Sequence, residues 1–346
     1  SIISEVPNLE GQNTLDTLLR RYNRVDKAHG RLPWEVSRKN NDTLTFRLNG
    51  SSYDIKVITP RHPSEIDWKK EGITFVQETT GKCLRKDSKD LTEAELRELK
   101  YGADVYFQSG VDTVFVSAPI IGEDANLILG LTHNEYDPNI HHYLSNLSCT
   151  SKAVAFVLKV LYDNGVRTIG DVVVNVPHSA TAAKHKKLIN DQYDVKEFMI
   201  EEENSGASSL LKIFKELEGL KVLSLRVPVL DGSDAIIQFE VSDPTYNSKK
   251  IKEMFKEAAN NSKYHKGIDV YEKDNFFNSQ LLSSPNELYP IPGYVPSSVV
   301  ILSRIYDIGM YGRQIHAWFS NERAPSFNQA ITTQFMLEKR VNPMHH

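Results

Sequence analysis

The segment LTFRLNGSSYDIKVIT, Leu44 to Thr59, alternates apolar and polar side chains on both sides of Asn49-Gly50. That pattern predicts a β-hairpin, because a two-residue turn of the right hand needs positive φ at both central positions and Asn-Gly supplies it cheaply. LTEAELRELKYG places Thr92 and Glu95 in capping-box spacing and predicts a helix. DTVFVSAP holds a compact apolar strand, Thr113 to Ser117. From Cys149 the run CTSKAVAFVLKVLYDNG repeats apolar residues at helical spacing and closes at Gly165, a residue suited to ending a helix. Further on, TIGDVVVNVP (Thr168 to Pro177), VLSLRVPV and DAIIQFEVS read as strands, separated by the helical runs GASSLLKIFKELEG and SKKIKEMFKEAAN. The tail SFNQAITTQFMLEKR reads as a last amphipathic helix, with Ile331, Phe335 and Met336 on its apolar face. The first ~150 residues therefore have an α/β character, and the rest is α+β, with helices exposed on one side of a sheet. Lys184 to Ser205, basic at its start and acidic at its end, reads as a solvated loop.

Composition narrows the partners. The chain has 346 residues, 40% hydrophobic and 25% charged, which is material for two domains. Lys and Arg number 41 against 45 Asp and Glu, a formal net charge of -4, so no basic footprint for nucleic acid or anionic membrane exists. Cys83 and Cys149 are the only cysteines, too few for a disulfide framework or a four-thiolate metal centre, and no metal site is expected. Such thiol usage fits an intracellular, reducing compartment. No apolar run approaches the ~20 residues of a membrane span. The opening SIISEVPNLEGQ has neither an initiator Met nor the features of a signal peptide, so Ser1 reads as a start inside a longer translated chain. The cytoplasm is the favoured address and an organelle the alternative.

Within that frame, SNLSCTSK (Ser145 to Lys152) puts Cys149 at the predicted first turn of a helix. Helix N–H groups and the dipole favour a thiolate there, although a lone cysteine on an apolar helix also serves as a packed small hydrophobe. His178 follows the strand GDVVVNVP, and a histidine at a strand end can reach a helix N-terminus in the adjacent layer. Arg226 in SLRVP needs an anion: an internal carboxylate on the structural reading, a phosphate on the functional one. Hydroxyls at Ser148, Thr150, Thr181 and Ser205, the last followed by Gly206 at a helix start, could complete anion sites.

The order of these motifs resembles the glyceraldehyde-3-phosphate dehydrogenase family. SNLSCTSK is similar to that family's SNASCTTN, VPHSATAAK to VHAITATQK, and SLRVPV to FRVPT. Upstream, RYNRVDKAHG resembles YDSTHG, VQETTG resembles VESTG, VFVSAP resembles VIISAP and THNEYD resembles NHEKYD; downstream, LSRIYDIGMYG resembles ISWYDNEFGY. The matches run in family order from about Asp26 to Tyr311.

The resemblance implies a remnant Rossmann-type nucleotide domain over residues 1–148, a catalytic domain over 149–325, and a C-terminal helix over 326–346 returning to the first domain. It implies Cys149 as the nucleophile that attacks an aldehyde and passes through a thioester, with His178 as its base. Thr181 and Arg226 match one anion site, and Ser148, Thr150, Ser205 and Gly206 resemble parts of another. Glu5, Thr80, Gly81 and Ser117 match cofactor-binding positions, with NAD as the cofactor, a phosphorylated aldehyde and inorganic phosphate as substrates, and a homo-oligomer or larger assembly as the quaternary state. Four departures stand beside the matches. The strand and GxGxxG turn that open the family's nucleotide fold, about 25 residues, have no counterpart in the sequence as given. The asparagine of YDNEF aligns with Ile308, and the second threonine of HAITATQ with Ala183. The segment from Lys184 to Ser205 also lacks the family's Gly-Pro pattern, so tetramer assembly does not carry over directly. Two readings stay open: a divergent NAD-dependent phosphorylating aldehyde dehydrogenase if the nucleotide-binding segment exists, or a catalytically inactive family-derived scaffold or subunit of a larger assembly, for which NAD is not required.

Overall fold

The computed structural model describes residues 14–24, 33–60, 62–179, 200–201, 205–227, 231–272 and 295–341. Glu5, Thr181, Ala183 and nearly all of the expected loop at 184–205 lie outside the described residues, and at Ser205, Gly206 and Arg226 the description is of the backbone. Two compact units divide the chain: residues 1–75 with 104–112, and residues 76–103 with 113–346.

In the first unit, helix α1 (Thr14–Asn23) accompanies a three-stranded antiparallel meander, β1 (Glu35–Arg38), β2 (Thr43–Leu48) and β3 (Ser51–Lys56). The hairpin forms where the alternation placed it: Leu48 pairs with Ser51, and Asn49 and Gly50 turn the chain at φ 48° and 81°. Leu15, Leu18, Val36, Leu44 and Val57 make a small core, flanked by Tyr22, Trp34 and Phe46.

The second unit begins with short strands: β4 (Phe75–Glu78), β5 (Cys83–Arg85), β6 (Tyr101–Gly102), β7 (Thr113–Val116), β8 (Ala125–Asn126) and β9 (Tyr143–Ser145). β5 and β6 form a parallel pair, and the other four make a sheet in the order β4-β7-β9-β8, in which β9 runs parallel to both β7 and β8. A one-turn helix, Glu93–Arg97, carries the expected capping box between Thr92 and Glu95.

The chain then enters helix α2 (Cys149–Asp163), which ends before Gly165 at φ 82°. Strands β10 (Thr168–Ser179), β11 (Ile200–Glu201), β12 (Gly219–Val227), β13 (Ser233–Val241), β14 (Ile268–Tyr271), β15 (Ser298–Ile308) and β16 (Gly312–Phe319) form a mixed sheet in the order β11-β12-β10-β13-β16-β15-β14. Alternate residues Val172, Val174 and Val176 of β10 and Ala235, Ile237, Phe239 and Val241 of β13 are buried with α2, α3 (Ser205–Ile213) and α4 (Ser248–Ala259) in one continuous core. α2 is buried along nearly its whole length, which explains an apolar run too continuous for a surface helix. The α/β and α+β character expected from the sequence is thus present as a small parallel sheet followed by a large mixed one.

The last helix, α5 (Arg323–Val341), differs from its sequence reading. Met336 is buried, but Ile331 and Phe335 are only partly so; the rest of the buried face is Ala324, Asn328, Gln329, Thr332 and Thr333. Those polar groups are spent on the strands and loops they touch. Thr332 accepts from the Leu129 amide at 3.1 Å, Gln77 donates to Thr333 Oγ1 at 2.6 Å, and Arg340 bonds the Tyr136 and Thr113 hydroxyls. Hydrogen bonding, not apolar contact alone, seats this helix.

Candidate active site

The turn leading into α2 is tied down atom by atom. The Asn146 amide donates to Val116 O at 2.8 Å, its side-chain Nδ2 donates to Leu127 O at 3.0 Å and to Asn328 Oδ1 at 3.1 Å, and the Leu147 amide donates to Ser145 Oγ at 3.1 Å. Leu147 takes φ 57°, a left-handed conformation that costs a non-glycine residue about 1 kcal/mol or more and persists only where its surroundings enforce it. Ser148 is then the N-cap, accepting from the Ser151 amide at 3.0 Å. Cys149 follows as the first residue of the helix, half-buried, with Thr150 buried behind it.

The structure brings Cys149 and His178 together: Sγ lies 3.5 Å from Nε2. The ring's other nitrogen, Nδ1, donates to the Ser179 carbonyl at 2.7 Å, which leaves Nε2 as the acceptor that faces the thiol. Asn321, between β16 and α5, completes the group. Its Nδ2 lies 2.9 Å from His178 Nε2 and 3.6 Å from Cys149 Sγ. The orientation of that amide is set from behind. Ser179 N donates to Ser233 Oγ at 3.1 Å, so the Ser233 hydroxyl proton goes to Asn321 Oδ1 at 2.8 Å, where the Ser179 hydroxyl also donates at 2.6 Å. The buried Asp231 carboxylate accepts from the Asn321 amide and from the Ser320 hydroxyl, each at 2.7 Å. Thiol, imidazole and carboxamide are therefore held in one network whose outer members are buried.

Arg226 sits one strand from the imidazole, because β10 and β12 run parallel with His178 opposite Arg226 in register. Ser205 and Gly206 open α3, so the expected helix start is present there. Of the expected cofactor positions, Thr80, Gly81 and Ser117 follow strands of the small sheet. The Ser117 amide donates to Glu78 O at 2.9 Å, the exposed Thr80 hydroxyl bonds Tyr101 Oη at 3.1 Å, and Gly81 turns at φ 71° with open space where a Cβ would stand. Ligands of open parallel sheets lie beyond the carboxyl ends of the strands, and small residues with an unobstructed backbone fit that use.

One assignment needs correction. Ile308, aligned with the family's asparagine, lies at the exposed end of the β15–β16 hairpin, paired with Gly312. Asn321 is the residue that presents an amide to the thiol. The FSN tripeptide that ends β16 just before a helix carried that signal, but YDIGM offered the closer spelling. Sequence reading also passed over Lys152, Asp231 and Ser233. Among the described residues, no group of three or more His, Cys, Asp and Glu side chains could hold a metal ion, and no helix is long and apolar enough to cross a membrane.

Fold and site together define a class: a four-stranded, partly parallel sheet and a large mixed one, with a helix-borne thiol facing a strand-borne imidazole. Residues 148–289 match the family model described as glyceraldehyde 3-phosphate dehydrogenase, C-terminal domain. The glyceraldehyde-3-phosphate dehydrogenase of Streptomyces coelicolor is 30% identical over 268 residues, covering 76% of this chain and 73% of that protein. Glyceraldehyde-3-phosphate dehydrogenase 2 of Caenorhabditis elegans is 27% identical over 305 residues, 86% and 80% of the two chains, and the Geobacillus stearothermophilus enzyme of the same name is 26% identical over 341 residues, 96% and 90%. The chain belongs to the glyceraldehyde-3-phosphate dehydrogenase family.

Proposed function

We propose that the protein is a thiol-dependent dehydrogenase that oxidises a phosphorylated aldehyde with NAD and inorganic phosphate. The observation that carries this reading is the 3.5 Å approach of Cys149 Sγ to His178 Nε2, with the imidazole tautomer set by the Ser179 carbonyl. The thiol gives its proton to Nε2 as sulfur adds to the aldehyde carbon, and the resulting imidazolium donates to the oxygen that becomes a thiohemiacetal hydroxyl. His178 then takes that hydroxyl proton back as the carbonyl re-forms, leaving a thioester on Cys149. NAD, when bound, supplies the two-electron acceptor that this oxidation requires. Asn321 keeps a donor beside sulfur and ring throughout, because its own oxygen is committed to Ser179 and Ser233.

On this reading Arg226 and Thr181 hold one anion, and Ser148, Thr150, Ser205 and Gly206 border the other. Glu5, Thr80, Gly81 and Ser117 hold the dinucleotide. Residues 1–148 serve nucleotide binding, 149–325 catalysis, and the helix at 326–346 returns to the nucleotide part, in a homo-oligomer or larger assembly of a reducing compartment. The alternative of an inactive scaffold drew support from Ile308, which lies outside the site. An absorbance assay for NADH with glyceraldehyde 3-phosphate and inorganic phosphate, beside calorimetry with NAD, tests the reading. Reduction that depends on Cys149 and a micromolar Kd are expected; neither turnover nor NAD binding would return the chain to the scaffold reading.

A further inference from the structure

Three residues beyond the nucleophile, where the resembled motif SNASCTTN has asparagine, this chain has Lys152. It is 1% exposed. Its side chain runs back toward the helix N-terminus, the direction helical side chains favour. Nζ donates to Asn146 O at 2.7 Å and to Asn146 Oδ1 at 2.6 Å, and lies 3.5 Å from Leu147 O. All three acceptors belong to the turn that delivers Cys149, and one of them is the carbonyl of the left-handed Leu147. None is a carboxylate. A buried ammonium without a counter-ion is costly, and chains keep one where it does work that a neutral group would not.

We propose that Lys152 is a positioning residue for Cys149: its amine clamps the Asn146–Leu147 turn and, when protonated, places a buried positive charge behind the thiol that favours the anionic sulfur. Among the described residues, Cys149 on the same helix is the titratable group that acts on its charge. The buried carboxylate of the site, Asp231, accepts from Ser320 and from the Asn321 backbone amide. Burial lowers the Lys152 pKa to about 7, and the Cys149 thiolate opposes that shift. Linkage is reciprocal: an anion that favours the ammonium is favoured by it to the same extent. The charge behind the thiol is therefore present below pH ~7 and lost above it, so the help it gives depends on pH.

The inference rests on Cys149 and His178 being the reacting pair, and the test separates the two. Iodoacetamide alkylation of Cys149 is followed by peptide mass spectrometry across about pH 5.5 to 9, in the full chain and in Lys152→Asn, Lys152→Met and His178→Asn. Asparagine occupies this position in the resembled motif and should be tolerated. The wild-type rate should exceed that of Lys152→Asn by about tenfold below pH ~6.5, equivalent to about one pK unit of bias, and by about twofold or less above pH ~8.5. Lys152→Met, with no donor, should show the same trend and a lower Tm. A ratio flat with pH, or equal rates, overturns the proposal even if His178→Asn slows alkylation, whereas an unchanged His178→Asn rate overturns the pair instead. In the unmutated protein, NMR of 13C-labelled lysine should show one side chain titrating near pH 7. If no lysine does, the proposal fails whatever the variants show.

Discussion

Cys83 and Cys149 belong to the same compact unit and have opposite surroundings. Cys83 is fully buried on β5, and its sulfur lies 3.9 Å from the Tyr143 hydroxyl, which burial pushes well above its ordinary pKa and so keeps neutral. A neutral phenol can bond a thiol but cannot take its proton at physiological pH. Cys149 is half-buried at a helix N-terminus, with an imidazole lone pair aimed at it and a carboxamide beside it. The difference teaches how unlike two thiols of one unit can be: Cys149 has access, a helix end and a facing imidazole, whereas Cys83 is enclosed on a strand.

The harshest test of that contrast replaces each thiol. Cys149→Ser should lower aldehyde oxidation by about 10³-fold or more, while Cys83→Ser should leave kcat within about twofold and cost about 1–3 kcal/mol of stability for a buried hydroxyl. Steady-state kinetics and denaturant titration of both variants read it; equal losses of activity would end the comparison.

A smaller effect follows from the base. His178→Asn should slow alkylation of Cys149 by about 10²-fold at neutral pH and leave Cys83 unchanged in the same sample. Asn321→Ala removes one donor from sulfur and ring and strands the Ser179 and Ser233 hydroxyls, so a loss of about tenfold in kcat/KM is expected. Asn321→Asp adds a carboxylate beside the imidazole and should be worse. An Ile308→Asn variant, by contrast, should change neither rate nor KM, because that residue faces solvent at a hairpin end.

Stability effects come next. Thr332→Val should cost about 1–3 kcal/mol, because it leaves the buried Leu129 amide without its acceptor at almost constant volume; urea denaturation measures it. The smallest effect concerns the strand that bears Cys83. Glu95 is lowered to about pKa 2, first by its bond to Arg85 on β5 and then by the Thr92 amide. A depressed carboxyl stabilises the fold above its unfolded value, and that contribution is lost as pH falls from ~4.5 through about 2. Glu95→Gln should flatten the fall in Tm between about pH 5 and pH 2.5 and raise Cys83 reactivity slightly at neutral pH.

Much of this was legible along the chain because the signals are local. Asn49-Gly50 made its hairpin, Thr92 and Glu95 their box, and the apolar run from Cys149 its helix, ending before Gly165. Each involves residues within a few positions of one another, where backbone preference and side-chain reach decide the outcome. His178 was also readable as a strand-end residue. Its partner atom and tautomer were not, since both depend on the Ser179 carbonyl and on where β10 lies against α2.

What the amino-acid order by itself determined, then, is the family, the sequence of elements and the identity of the thiol and the imidazole. Only the tertiary structure decided which amide stands beside them. YDIGM stands at the turn of the β15–β16 hairpin and FSN at the far end of β16, so the pairing of the two strands carries the first to an exposed end and the second to the site. It also turned the polar face of α5 inward and buried Lys152. Neither followed from hydrophobic periodicity, because a polar side chain is buried wherever distant groups happen to satisfy its hydrogen bonds, as the Leu129 amide, 203 positions away along the chain, does for Thr332.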